Sequence, residues 1–179
     1  MSKSGIYGRV RARRCAVQAL YQWQLTGQDP NEILKEFVAQ RELIKVDLDY
    51  FSVLTRDAPR HIEALLKDLE PALDRPWLQL GPVERSVLLV GAYELRFCPD
   101  IPWRVVVNEA VELTKMFGAD EAHKYINGVL DKVARVVRAD EIDRGPAPNQ
   151  VASSPSPLEG EGRSEGKTIG DAALPAPSL

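Results

Sequence analysis

Residues 83–97 read VERSVLLVGAYELRF. Apolar side chains at Val83, Val87, Leu88, Leu89, Val90, Ala92, Tyr93, Leu95 and Phe97 cover nearly every face at helical period, and a helix without a polar face is one surrounded by others. Gly81-Pro82-Val83-Glu84 opens it, with proline where a helical N–H has no partner to lose. Pro99-Asp100-Ile101-Pro102 is read as a connector. This segment is therefore expected at the centre of an all-α fold.

On its N-terminal side, Ala16, Val17, Ala19, Leu20, Tyr21 and Trp23 define a first helix that ends at Gly27, a residue suited to a left-handed cap. Asp29-Pro30-Asn31-Glu32 supplies an N-cap, a proline in the first turn and an early acid, opening a second helix through Ile33, Leu34, Phe37 and Val38. A third run starts at Asp47 and continues to Leu69, with a bend expected at Pro59 from the lost hydrogen bond and the ring clash. Trp77 and Leu78 read as a brief helical turn. On the C-terminal side, Val106 to Phe117 forms a helix closed by Gly118, and a last helix runs from Asp120 to about Val137, with Gly128 expected to let a neighbour approach closely. Short loops between these elements imply antiparallel packing.

The chain has 179 residues, 44% apolar and 27% charged, which fits a folded domain and excludes fibrous or wholly disordered classes. The domain is placed at residues 9–140, with a flexible arm at 1–8 and a disordered tail at 141–179. From Arg144 onward the chain has no aromatic residue and carries Pro146, Pro148, Pro155, Pro157, Pro175 and Pro177. No run approaches the roughly 18 apolar residues of a membrane span, and residues 1–14 lack the apolar core of a secretory signal, so the cytoplasm is expected and a membrane partner is not.

Charge is unevenly placed. Lys3, Arg9, Arg11, Arg13 and Arg14 precede the first acid, Asp29, so a +5 arm sits on a chain of net charge −3. Such asymmetry points to a nucleic-acid or membrane partner, with the membrane surface set well behind because Leu20 and Trp23 read as core. Arg14 and Tyr21 are seven residues apart, two turns along one helical face, where guanidinium can meet phosphate and a ring can stack an unpaired base. Tyr21 also fits a core position, and a basic end can be merely solvated. Cys15 and Cys98 read as small core residues, with neither a disulfide framework nor a zinc site implied. His61 and His123 lack metal-ligand spacing. Glu109 with Glu112, and Asp120 with Glu121, read as a solvated face or as dipole complements. No phosphate loop or nucleophile elbow is present, so neither catalysis nor a cofactor is expected.

The stretch from Arg13 to Trp23, RRCAVQALYQW, resembles the start of the NusB family of transcription antitermination proteins. Gly81 to Arg85, Ala92 to Leu95, Ile101-Pro102, Asn108 to Lys115, Phe117-Gly118 and Tyr125 to Lys132 match that family in order and spacing. The resemblance covers about residues 9–138. It implies two antiparallel helical bundles of about seven helices and a non-enzymatic role in antitermination of ribosomal RNA transcription. It implies, as partners, boxA RNA, the small-subunit ribosomal protein NusE, RNA polymerase and other Nus factors. Carried onto this chain, Arg9, Arg11, Arg13, Arg14, Tyr21, Glu121, Lys124 and Tyr125 are expected on the RNA side, and Glu84 on the NusE side. The same kind of domain occurs ahead of RNA cytosine methyltransferase domains, which leaves an RNA-binding module of such an enzyme as the alternative. Val10 interrupts the arginine run, and the tail has no counterpart in the family pattern.

Overall fold

A computed structural model describes residues 3–41 and 43–145. The expected disordered tail lies, beyond Gly145, outside the described residues. Eight α-helices and no strand occur among them: α1 (Lys3–Thr26), α2 (Pro30–Gln40), α3 (Leu48–Arg60), α4 (Ile62–Leu69), α5 (Pro82–Phe97), α6 (Trp103–Phe117), α7 (Ala122–Val137) and α8 (Ala139–Asp143). Short 3-10 turns at Glu70–Ala72 and Trp77–Gln79 join α4 to α5.

The fold is two antiparallel bundles, α1–α3 and α4–α7, and α5 packs against members of both. Every residue from Ser86 to Leu95 on α5 is buried, as its all-round apolar pattern requires. The central packing is close: a Cβ added at Gly91 would lie 2.7 Å from Leu130 Cδ1 on α7. This is where a glycine admits a neighbour. Gly128, expected in that role, has nothing within 4 Å of its would-be Cβ. The period of α7 turns Ile126, Val129, Leu130 and Val133 inward and leaves position 128 off that stripe.

Local chemistry sets the ends. Gly27 adopts φ +66° after α1, Asp29 caps α2 by accepting from the Asn31 N–H at 2.7 Å, and Asp47 caps α3 by accepting from Tyr50 N–H at 3.0 Å. The bend expected at Pro59 is a break, since α3 ends one residue later and α4 starts after His61. Gly118 closes α6 in an extended conformation, φ −88°, so its use is steric: a Cβ would meet the Thr114 carbonyl oxygen at 2.8 Å.

Three expected boundaries shift. Residues 3–8, set apart as an arm, are the first turns of α1, tied to α3 by the Asp47 N–H donating to the Gly8 carbonyl at 3.2 Å. Helix also continues past residue 140 as α8, and the compact unit extends to Gly145. Glu121, expected within the last helix, precedes it in the left-handed region at φ +67°.

Candidate nucleic-acid interface

Helix α1 carries two stripes. Val17 and Leu20 face the core, and Arg13, at i−4 and i−7 from them, falls on the same side. Its side chain is 4% exposed, against the expectation that it faces RNA. The Arg13 Nε donates to Glu94 Oε1 at 2.8 Å, with Glu109 Oε2 3.5 Å from Nη1. The Tyr50 hydroxyl donates to the same Glu94 oxygen. Burial works against the guanidinium charge, but Glu94, Tyr50 and Glu109 outweigh it and hold the Arg13 pKa above its ordinary value. Burial pushes the Glu94 carboxyl up, with Arg13 and the Tyr50 hydroxyl pulling it down. The network joins α1, α3, α5 and α6, so Arg13 fastens the two bundles.

The other stripe runs Arg11, Arg14, Gln18, Tyr21, Leu25 at alternating spacings of three and four, and none of these residues is buried. Arg14 and Tyr21 therefore share a face, as their spacing predicts. Tyr21 is 38% exposed rather than a core residue. It lines an open groove of about 480 Å³ with Gln18, Gln22, Leu25, Arg41 and Phe117 among its walls. Arg41 donates to the Gln18 side-chain oxygen, and its guanidinium sits 4.1 Å from the centroid of the Phe37 ring. A flat aromatic face beside a fixed guanidinium can take a base and its phosphate. Arg41 and Phe117 were absent from the sequence-based candidates. Gln18 and Leu25 could have been found from the helical period running through Tyr21.

The remaining candidates are placed as follows. Arg11 is exposed, with Nη1 3.5 Å from the Ile44 carbonyl. Arg9 pairs with Asp100 at 3.1 Å and lies over the Tyr50 ring, 4.8 Å from its centroid. Phe117 ends α6, and the turn after it leads to the exposed ion pair of Glu121 and Lys124. Tyr125 is half-buried with the Arg75 guanidinium 5.2 Å from its ring centroid. Arg75 in turn donates to Asp74 at 2.8 and 3.1 Å, which holds the Asp74 carboxyl down at about 2. Glu84 also acts on Arg75 through its charge. Glu84 itself is half-buried in the first turn of α5, folded against Gly81 so that a Cβ there would strike its carboxylate. Tyr125, assigned to the RNA side, and Glu84, assigned to the protein side, thus share Arg75 as a neighbour.

Among the described residues no group of three His, Cys, Asp or Glu side chains could hold a metal ion, and no helix is long and apolar enough to cross a membrane. Cys15 and Cys98 are free and half-buried, and burial raises both thiols, Cys98 to about 11.

The family model described as the NusB family matches residues 10–135. The Transcription antitermination protein NusB of Legionella pneumophila (strain Corby) is 46% identical over 142 residues, covering 79% of this chain and 97% of that protein. The protein of the same name from Nitrosococcus oceani is 50% identical over 134 residues, covering 75% and 90%. Among solved structures, NusB from Aquifex aeolicus superposes with a TM-score of 0.64 at 31% identity, covering 81% of this chain and 98% of that one. A crystal structure of antitermination factors NusB and NusE in complex with double-stranded RNA matches with a TM-score of 0.60 at 32% identity, covering 72% and 96%.

Proposed function

Because the chain belongs to the NusB family, we propose that it is a cytoplasmic antitermination factor that binds boxA RNA of nascent ribosomal transcripts together with ribosomal protein NusE. The pair then joins RNA polymerase with other Nus factors. The observation that carries this reading is the exposed stripe of α1, where Arg11 and Arg14 lead into the Tyr21 groove beside Arg41. Arginines at one end supply attraction to phosphate, and the ring at the other supplies a platform for an unpaired base. Arg9, Glu121, Lys124 and Tyr125 complete the proposed RNA side, and Glu84 belongs to the proposed NusE side. Arg13 supports this surface from inside.

Two kinds of contact separate in a titration with boxA-like RNA, with and without NusE, at several salt concentrations. Replacing Arg11 and Arg14 by Ala flattens the log–log salt dependence by about 0.7 per lost phosphate contact on single-stranded RNA. Tyr21→Ala weakens binding by about 1–3 kcal/mol and leaves that slope alone, as loss of a stacking ring does. A normal slope and affinity in the arginine variant would remove the stripe as an RNA site. For the protein side, Glu84→Lys is expected to weaken capture of NusE in a pull-down while the melting temperature of the free chain stays near that of the parent. Undiminished capture would take Glu84 out of the interface.

A further inference from the structure

Arg138 and Glu141 lie beyond residues 10–135 matched by the family model, yet both side chains reach back to the centre of the fold. The Arg138 guanidinium donates to three carbonyls at the C-terminal end of α5: that of Leu95, that of Glu94 at 3.0 Å and that of Cys98 at 2.8 Å. Its Nη1 also donates to Glu141 Oε2 at 2.9 Å. The other oxygen of Glu141 accepts from the Trp103 backbone N–H, the first of α6, at 3.0 Å. A cation thus closes one helix at its C-terminus and an anion closes the next at its N-terminus, each at the end its charge favours. Both also satisfy backbone groups that helix ends leave without partners.

The connector of residues 98–102 lies between those two ends and carries Asp100, the carboxylate paired with Arg9. We propose that Arg138 and Glu141 form a clasp that positions Arg9 for RNA. By fixing both ends of the connector they hold Asp100, and Asp100 with the Tyr50 ring holds the Arg9 guanidinium. Asp100 takes only Nη1 of Arg9, a fork with five N–H donors, so the paired guanidinium keeps donors for a phosphate. Glu94 gives this chain of contacts a second anchor, since its carbonyl meets Arg138 while its carboxylate meets Arg13. The inference rests on the RNA reading of the α1 arginines.

A double-mutant cycle tests it. The affinity for boxA-like RNA in the presence of NusE is measured for the parent, Glu141→Ala, Arg9→Ala and the double variant, with a melt of each. Glu141→Ala is expected to weaken binding by about threefold or more in the parent and to add nothing in the Arg9→Ala background, the non-additivity of coupled neighbours. Glu141→Gln keeps an acceptor for the Trp103 N–H but turns its amide NH2 toward the Arg138 guanidinium, and is expected to recover only part of the loss. An equal loss with and without Arg9 would mean general destabilisation and overturn the clasp. No loss from Glu141→Ala, while Arg9→Ala weakens binding, would overturn it and leave the RNA reading standing. No loss from Arg9→Ala would remove Arg9 from the RNA side, and the clasp's role with it.

Discussion

Arg13→Ala is expected to lower the stability of the fold by about 3–5 kcal/mol, the cost of removing one partner from a buried ion pair. The size follows from what remains: Glu94 is 1% exposed, and with Arg13 gone it keeps the Tyr50 hydroxyl but no cation at its carboxylate. Urea unfolding of the variant beside the parent measures it. Removing the buried network together by Arg13→Met, Glu94→Leu and Tyr50→Phe, so that the Tyr50 hydroxyl is not left without its acceptor, is expected to recover most of the loss, because apolar replacement of a whole buried ionic group is often close to neutral. A near-parental midpoint for Arg13→Ala alone would show that the guanidinium is dispensable to the packing of α1 on α5. RNA affinity at a temperature where the variant is still folded is expected to change far less than its stability, which separates Arg13 from its neighbours on the exposed stripe.

Leu88→Ala is expected to cost about 2–5 kcal/mol, combining lost burial with the cavity left behind. Leu88 is fully buried on the helix that both bundles share. A void there has walls on two sides, and collapse toward one bundle opens a gap against the other, so the upper part of that range is expected. An unchanged thermal transition would contradict the placement of α5 at the centre.

The centre of the fold was readable from residues 83–97, because an apolar pattern without a polar face, in a run too short to cross a membrane, is buried among other helices. Asp29, Asp47 and Gly27 marked helix ends through chemistry that acts within a few residues. The pairing of Arg14 with Tyr21 on one face was likewise a matter of helical spacing. What escaped depends on contacts distant in sequence. Arg13 looks like any member of a basic cluster until Glu94, 81 positions away, is brought to it. Its position on the Val17–Leu20 stripe was a usable signal, outweighed by the expectation that arginine lies outside. Arg41 and Phe117 reach Tyr21 only through tertiary packing. The short helix α8 has little apolar period of its own, and its place is set by the bonds of Arg138 and Glu141. Choosing between Gly91 and Gly128 as the close-packed glycine needed the rotation of α7 about its axis, which spacing within one helix does not supply.

Because α1 is helical from Lys3, the arginines proposed to meet RNA are already ordered in the free protein. A coil that folds on its ligand gives up about 1–2 kcal/mol of backbone entropy for each residue it fixes. Here that ordering has taken place during folding of the domain. RNA binding should accordingly show a small heat-capacity change, without the large negative value that accompanies coupled folding. Far-ultraviolet dichroism should gain no helix signal from the protein as RNA is added. Association should then be set by diffusion and charge, and selectivity by which sequences can bend to a rigid row of donors.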